Sequence, residues 1–337
     1  MKSKEILLLI ALMLNLAGHL KTQTKTMSDT GNKNFSCDIE TGVCAPSDQT
    51  EIEEIKLVQH EKVKLIYYTD PICSACWAIE PQLKKFKLEY GDYVEVEYRM
   101  GGLLPGWEGF ADKANGISKP SDVAQHWDEV GQHSGMSIDG DIWLEDPLES
   151  SFPPSIAFKA AQKQGKAFSL RFLRRIREQL FLEKKNITKK EFIEEAVKEC
   201  GGDITQFLED YRSEATQQSF HHEMQQGRAM GVRGFPTFIF MAKDGKGFKI
   251  SGMSAYKYYV MALEKAFGEK LEPSPIDQSE LQLLEKHGYL STKEISIVLS
   301  QDDNVTIAHL NKLVAENRVV REKQKFGDFW RIVQTAH

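Results

Sequence analysis

The chain has 337 residues, 41% hydrophobic and 27% charged, which is enough to bury a sizeable core and too evenly mixed for a disordered or fibrous protein. A formal net charge of −6 excludes a broad electrostatic attraction to nucleic acid or to an anionic membrane. Five cysteines, an odd number and few for this length, exclude a dense disulfide framework; two close pairs and the single Cys200 point to redox or metal chemistry.

The first residues, Met1 to Lys4, are short and basic, and Ile6 to Ala17 are almost wholly apolar. That run resembles the apolar region of a signal peptide and is too short to span a bilayer comfortably. No A-x-A cleavage pattern follows it, whereas Met27 opens a polar segment that reads as a natural cytosolic start. The expectation is therefore a cytoplasmic protein beginning at Met27, with export or membrane anchoring through residues 6–17 as the alternative. Residues 1–61 form a leader. Within it, Cys37 and Cys44 enclose a turn-prone segment that would bring them together. They are a candidate second redox or metal pair: a local disulfide, a relay to another dithiol, two zinc ligands, or two incidental thiols.

Val63 to Tyr68 reads as a strand with a buried run from Leu65, broken by Thr69-Asp70-Pro71. A helix is expected from Ser74 to Tyr90, with Trp77, Leu83, Phe86 and Tyr90 at helical spacing, and Tyr93 to Tyr98 alternates like a second strand. Helices follow at 121–134, 154–164, 166–182, 189–199 and 204–230, the last broken somewhere along its length. Gly231 to Pro236 is loop-like. Thr237–Met241 and Phe248–Ser251 read as strands joined by an Asp244-Gly245 turn, and Tyr256–Phe267 as a closing helix. Glu272-Pro-Ser-Pro275 reads as a linker. Beyond it, helices at 278–287, 292–299 and 305–317 and a hairpin from Val319 to Arg331 describe a winged-helix-like unit.

The chemistry centres on Cys73-Ser-Ala-Cys76, directly after a strand and at the mouth of a helix. Unpaired backbone N–H groups and the helix dipole favour a negative charge there, which makes Cys73 the expected nucleophile. Cys76, one turn along, is placed to resolve a mixed disulfide. The competing readings are an inert pair and half of a zinc site completed by Cys37/Cys44 or by His221-His222. Adjacent histidines point about 100° apart on a helix, a poor metal pair. The second element is Gly234-Phe235-Pro236-Thr237 before a strand, where an X-Pro bond can be cis. Trp107, Trp127 and Trp143 read as core or groove lining. No P-loop, dinucleotide glycine pattern or Ser-His-Asp arrangement occurs, and no cofactor or metal is assigned.

Asp70-Pro-Ile-Cys73-Ser-Ala-Cys76-Trp77, the helical insert and Gly231-Val-Arg-Gly-Phe-Pro236-Thr237 resemble the DsbA family, especially its FrnE-like branch, over roughly residues 62–268. The resemblance implies an α/β thioredoxin fold, residues 62–270, with a large helical insertion at about 105–230. It implies a cis Pro236 facing the dithiol, a catalytic set of Cys73, Cys76 and Pro236, and substrate contacts from Phe235, Trp77 and Thr237. One departure is that Ser-Ala separates the cysteines where the strong oxidant of the family has Pro-His.

A second resemblance covers more of the chain. Cys76-Trp-Ala-Ile-Glu-Pro81, Ser134-Gly-Met-Ser-Ile-Asp-Gly140, Ala157-Phe-Lys-Ala-Ala161, Lys184-Lys-Asn-Ile-Thr188, and Lys293 to Val298 with Phe329-Trp330 are similar to the Spx-degradation adaptor family. It implies protein partners, a Spx-like regulator and the ClpXP protease. The winged-helix-like tail, 277–337, has nearly balanced charge, and its third helix carries Lys312 as its cation. A duplex binder needs several cations on one face, so the tail is read as a protein-contact module, not a nucleic-acid binder. Three functions are carried forward: a thiol–disulfide oxidoreductase acting through Cys73 and Cys76 on protein or small thiols; a non-catalytic or redox-sensing adaptor that binds a Spx-like regulator and promotes its degradation by ClpXP; and, least favoured by the charge balance, a DNA-binding regulator acting through the tail.

Overall fold

The computed structural model describes residues 61–113 and 115–333, and the backbone of two short strands before them. The chain divides into two compact units, 1–59 and 60–337. In the first, β1 (Phe35–Cys37) pairs antiparallel with β2 (Cys44–Pro46), and Cys37 stands opposite Cys44. The apolar run at 6–17, Met27 and the turn between the two cysteines lie outside the described residues.

The second unit is built on a four-stranded sheet. Its central strand β3 (Val63–Thr69) runs parallel to β4 (Val94–Met100) and antiparallel to β5 (Thr237–Met241), and β6 (Gly247–Ser251) forms the far edge. Because side chains alternate across a strand, Leu65 and Tyr67 enter the main core while Ile66 and Tyr68 enter a smaller cluster on the opposite face. Burial on both faces explains why β3 reads as an unbroken apolar run. Tyr67 stacks flat on Phe238 of β5, with ring centroids 4.5 Å apart.

The expected helix over 74–90 is two helices, α1 (Ser74–Ala78) and α2 (Glu80–Tyr90), meeting at Ile79. Pro81 is the reason. It has no N–H to give, and its ring would press on the carbonyl four residues earlier, so the helix restarts there. The insertion carries α3 (Pro120–Ser134), the short α4 (Ile142–Glu145), α5 (Phe152–Lys163), α6 (Lys166–Phe181), α7 (Lys190–Glu199), α8 (Ile204–Arg212) and α9 (Glu214–Ala229). The expected break in 204–230 falls at Ser213, whose hydroxyl caps α9 by accepting from the Thr216 N–H at 3.3 Å. α10 (Tyr256–Phe267) closes the thioredoxin unit.

The tail comprises α11 (Glu280–His287), β7 (Tyr289–Ser291), α12 (Thr292–Leu299), α13 (Asp303–Ala315), β8 (Val319–Gln324) and β9 (Gly327–Ile332). β7 is too short to show alternation in sequence. It exists because Leu290 pairs with Trp330 of β9, giving a three-stranded wing. The tail has its own small core and also joins the larger one. Phe329 stacks on Trp77 at 6.3 Å, and the linker is pinned by the Ser274 N–H donating to the Glu89 carbonyl at 2.8 Å. Fully buried Glu294 pairs with Arg174 of α6 at 2.8 Å and faces Lys84 of α2 at 3.5 Å. Among the described residues no helix is long and apolar enough to cross a membrane.

Candidate active site

The site begins where β3 ends. Asp70 is fully buried, and its carboxylate accepts from the Leu103 N–H (2.7 Å), the Ser151 hydroxyl (2.9 Å) and the Ile72 N–H (3.1 Å). Burial pushes its pKa up to about 6 against those hydrogen bonds. One carboxyl thus ties the dithiol loop to the segment that follows β4 and to the insertion. Behind it, Arg177 of α6 is 1% exposed and donates to Thr69 Oγ1 (2.6 Å), Glu80 Oε1 (2.7 Å) and the Asp70 carbonyl (3.1 Å). The loop leading to the dithiol is therefore held from within by the Asp70 carboxylate and from outside by the Arg177 guanidinium of α6, which Glu80 of α2 partners.

Cys73 occupies the N-cap of α1, and the Cys76 N–H points at its Sγ from 3.1 Å. The two cysteines are joined as a disulfide, with Cα atoms 5.1 Å apart. Cys73 is 4% exposed and Cys76 is fully buried, so a partner sulfur meets Cys73 first. On reduction, the same N–H would stabilise a Cys73 thiolate. Cys200 is a free, half-buried cysteine whose thiol is pushed up to about 11 by burial, which keeps it protonated near neutral pH.

The Gly231–Pro236 loop comes beside the dithiol because of strand register. Thr237 pairs with Tyr68, one residue short of the end of β3, and the Phe235–Pro236 bond is cis. Thr237 Oγ1 donates to the Gly234 carbonyl at 2.7 Å, and the Pro236 carbonyl accepts from the Gly252 N–H at 2.7 Å. Between them, the Phe235 N–H and carbonyl have no hydrogen-bond partner among the described residues. The Phe235 ring rests on Gly101: a Cβ built there would lie 1.9 Å from ring carbons. Gly101→Ala must therefore displace the Phe235 ring. We expect a loss of about 1–3 kcal/mol of stability in urea unfolding, with slower thiol exchange.

Cys73, Gly234 and Phe235 line one side of a cavity of about 490 Å³. The insertion supplies the other side, including Trp107, Trp127 and Trp143. Trp143 packs edge-on against both other indoles, at 5.9 Å from Trp107 and 5.2 Å from Trp127. A dithiol, an adjacent loop with free backbone groups and an aromatic cavity can together capture a thiol or disulfide and exchange with it.

The family model described as thioredoxin matches residues 67–261. A protein of Halalkalibacterium halodurans described as ClpXP adapter protein SpxH is 34% identical over 301 residues, covering 89% of this chain and 97% of that one. The chain belongs to the SpxH family of the thioredoxin superfamily. A Shouchella clausii relative of the same description is 32% identical, covering 88% of this chain and 96% of its own. A solved structure from Nitrosomonas europaea, described as a candidate protein disulfide isomerase, superposes with a TM-score of 0.52 at 17% identity. It covers 62% of this chain and 97% of that one, a likeness of fold.

In this SpxH-family chain, Cys73, bonded to Cys76, shares the cavity lining with Gly234 and Phe235, which lead into the cis Phe235–Pro236 bond. Trp77 does not reach the cavity. It is fully buried, its indole N–H donates to the Ser137 carbonyl at 3.0 Å, the Arg174 guanidinium lies 4.5 Å above its ring, and Phe181 and Phe329 stack against it. Thr237 is buried and ties the loop through its hydroxyl. Cys37 and Cys44 are opposed in the other unit. His221 and His222 are exposed, and among the described residues no group of His, Cys, Asp or Glu gathers that could hold a metal. Sequence reasoning passed over Arg177, Gly101, Arg228 and Arg233. Arg177 lies about a hundred positions from Thr69 with no spacing to link them, whereas Gly101-Gly102 after a strand was a visible sign of close backbone approach.

Proposed function

We propose that this chain is a thiol–disulfide oxidoreductase whose attacking group is Cys73 and whose resolving group is Cys76. The observation that carries the reading is the position of Cys73 at a helix N-cap, with the Cys76 N–H on its sulfur and the Phe235 backbone free beside it. A substrate disulfide would be attacked by the Cys73 thiolate, releasing one thiol, and Cys76 would then displace the second. Alkylation of the reduced protein with iodoacetamide across a pH series is the test. Cys73 should react first, with an apparent pKa below the ~8.5 of an ordinary thiol. An ordinary pKa at Cys73, or faster labelling of Cys76, would remove the assignment.

A second reading is favoured by a different observation. The likeness to relatives described as ClpXP adapters extends over 97% of the first relative's length. On that reading the chain binds a Spx-like regulator and presents it to ClpXP, with the dithiol as a redox sensor. Regulator turnover by purified ClpXP discriminates the two. Acceleration that survives Cys73→Ser supports a pure adapter, acceleration lost with it makes the dithiol a gate, and none leaves the oxidoreductase alone.

A further inference from the structure

We infer that the dithiol cavity takes a small, acidic, peptide-like thiol or its disulfide, with Arg228 and Arg233 meeting the ligand's carboxylates beside the Phe235 backbone. The inference rests on the exchange reading above and names the substrate class for that site. Size is the first support. A cavity of about 490 Å³ lies within the ~300–1,000 Å³ of sites that engulf small molecules. Because Cys73 is 4% exposed, a substrate sulfur must enter that space, which admits a short peptide far more readily than the surface of a folded protein.

Charge is the second support. Arg228 and Arg233 both line the cavity, and among the described residues neither guanidinium has an ion-pair or hydrogen-bond partner. The His126 ring lines it too, likewise unpartnered. Asp112 is the carboxylate among the lining residues. It is occupied by Asn115, whose side-chain amide donates at 2.7 Å and whose backbone N–H donates at 3.3 Å. In a chain of net charge −6, two unneutralised arginines beside a dithiol mark a place for anions. Backbone is the third support. The carbonyls on either side of Phe235 are taken by Thr237 and Gly252, while its own N–H and carbonyl are free to pair with a ligand amide.

The chemistry balances without another reactant. The Cys73 thiolate attacks a disulfide RS–SR, forming Cys73–SR and releasing RS⁻, which takes up a proton. Cys76, losing its proton, then attacks the Cys73 sulfur and expels the second RS⁻. The protein gives two electrons and becomes the disulfide, and the ligand becomes two thiols.

The test compares three small disulfides against the reduced full chain: glutathione disulfide (anionic), hydroxyethyl disulfide (neutral) and cystamine (cationic). Each rate is divided by its rate with free cysteine to remove intrinsic reactivity. The anionic probe should lead the neutral one by about tenfold and the cationic one by more. Added salt should shrink the lead, and Arg228→Gln with Arg233→Gln should bring the anionic-to-neutral ratio close to one. Equal normalised rates, a lead for cystamine, or a ratio untouched by the arginine changes would overturn the inference while leaving Cys73 exchange standing. Absence of Cys73-dependent exchange with every probe would remove the exchange reading and this inference together.

Discussion

Cys73→Ser should abolish thiol–disulfide exchange, lowering the rate by at least about a thousandfold, because it removes the sulfur that a substrate can reach. Cys76 is fully buried behind it and cannot substitute as the first nucleophile. Cys76→Ser should behave differently. Cys73 would still attack, but the mixed disulfide would persist and be visible as a mass increase on the intact protein. Both variants should fold, since each exchanges one small side chain for another in a loop held mainly by Asp70 and Arg177. Exchange surviving in Cys73→Ser, or mixed disulfides accumulating on Cys73 no longer in Cys76→Ser than in the parent, would reverse the assignment.

The second large effect is on stability, and it concerns the tail. Glu294→Ala should cost about 3–5 kcal/mol, read as a shift in the urea midpoint at neutral pH. Glu294 is fully buried, accepts from Arg174 at 2.8 and 3.0 Å and from the Ser291 N–H at 2.9 Å, and faces Lys84. Burial alone would push its carboxyl up, but Arg174 and Lys84 outweigh that and hold it at about 2, below its ordinary 4.5. A depressed carboxylate stabilises the fold fully above its unfolded pKa and loses that contribution as pH falls through the folded one. The gap between parent and variant should therefore be largest above about pH 5 and narrow towards pH 2. A gap independent of pH would mean that packing, not the ion pair, carries the effect.

The same contacts revise what removal of the tail should do. From sequence, the Pro-Ser-Pro linker and a complete thioredoxin pattern by Phe267 suggest a partner-contact module whose removal leaves Cys73 chemistry largely intact. In the structure Phe329 stacks on Trp77, the residue after Cys76, and Arg174 lies over that indole while gripping Glu294. Truncation before α11 would expose Trp77 and leave Arg174 partly unpaired, so it should loosen the dithiol helix as well as remove the tail.

Much of this protein is determined by local chemistry that a sequence displays. Alternating residues fix β4, a two-sided apolar run fixes β3, and Cys-x-x-Cys between a strand and a helix fixes the place of the dithiol. Gly-Phe-Pro-Thr before a strand marks the second loop. These features depend on neighbours within a few positions, where periodicity and turn preferences act.

Tertiary structure alone decided which distant groups share a space. Arg177 reaches Thr69 and Asp70 across more than a hundred residues, Gly101 is required by the Phe235 ring, and Arg228 and Arg233 meet Cys73 around one cavity. It also turned Trp77, a substrate contact by the family resemblance, into the point where the tail, α6 and α1 pack together. The physical reason is common to all of these. A side chain's partners across the core are set by how helices and strands stack, and stacking depends on the whole set of apolar faces at once, which no short stretch of sequence records.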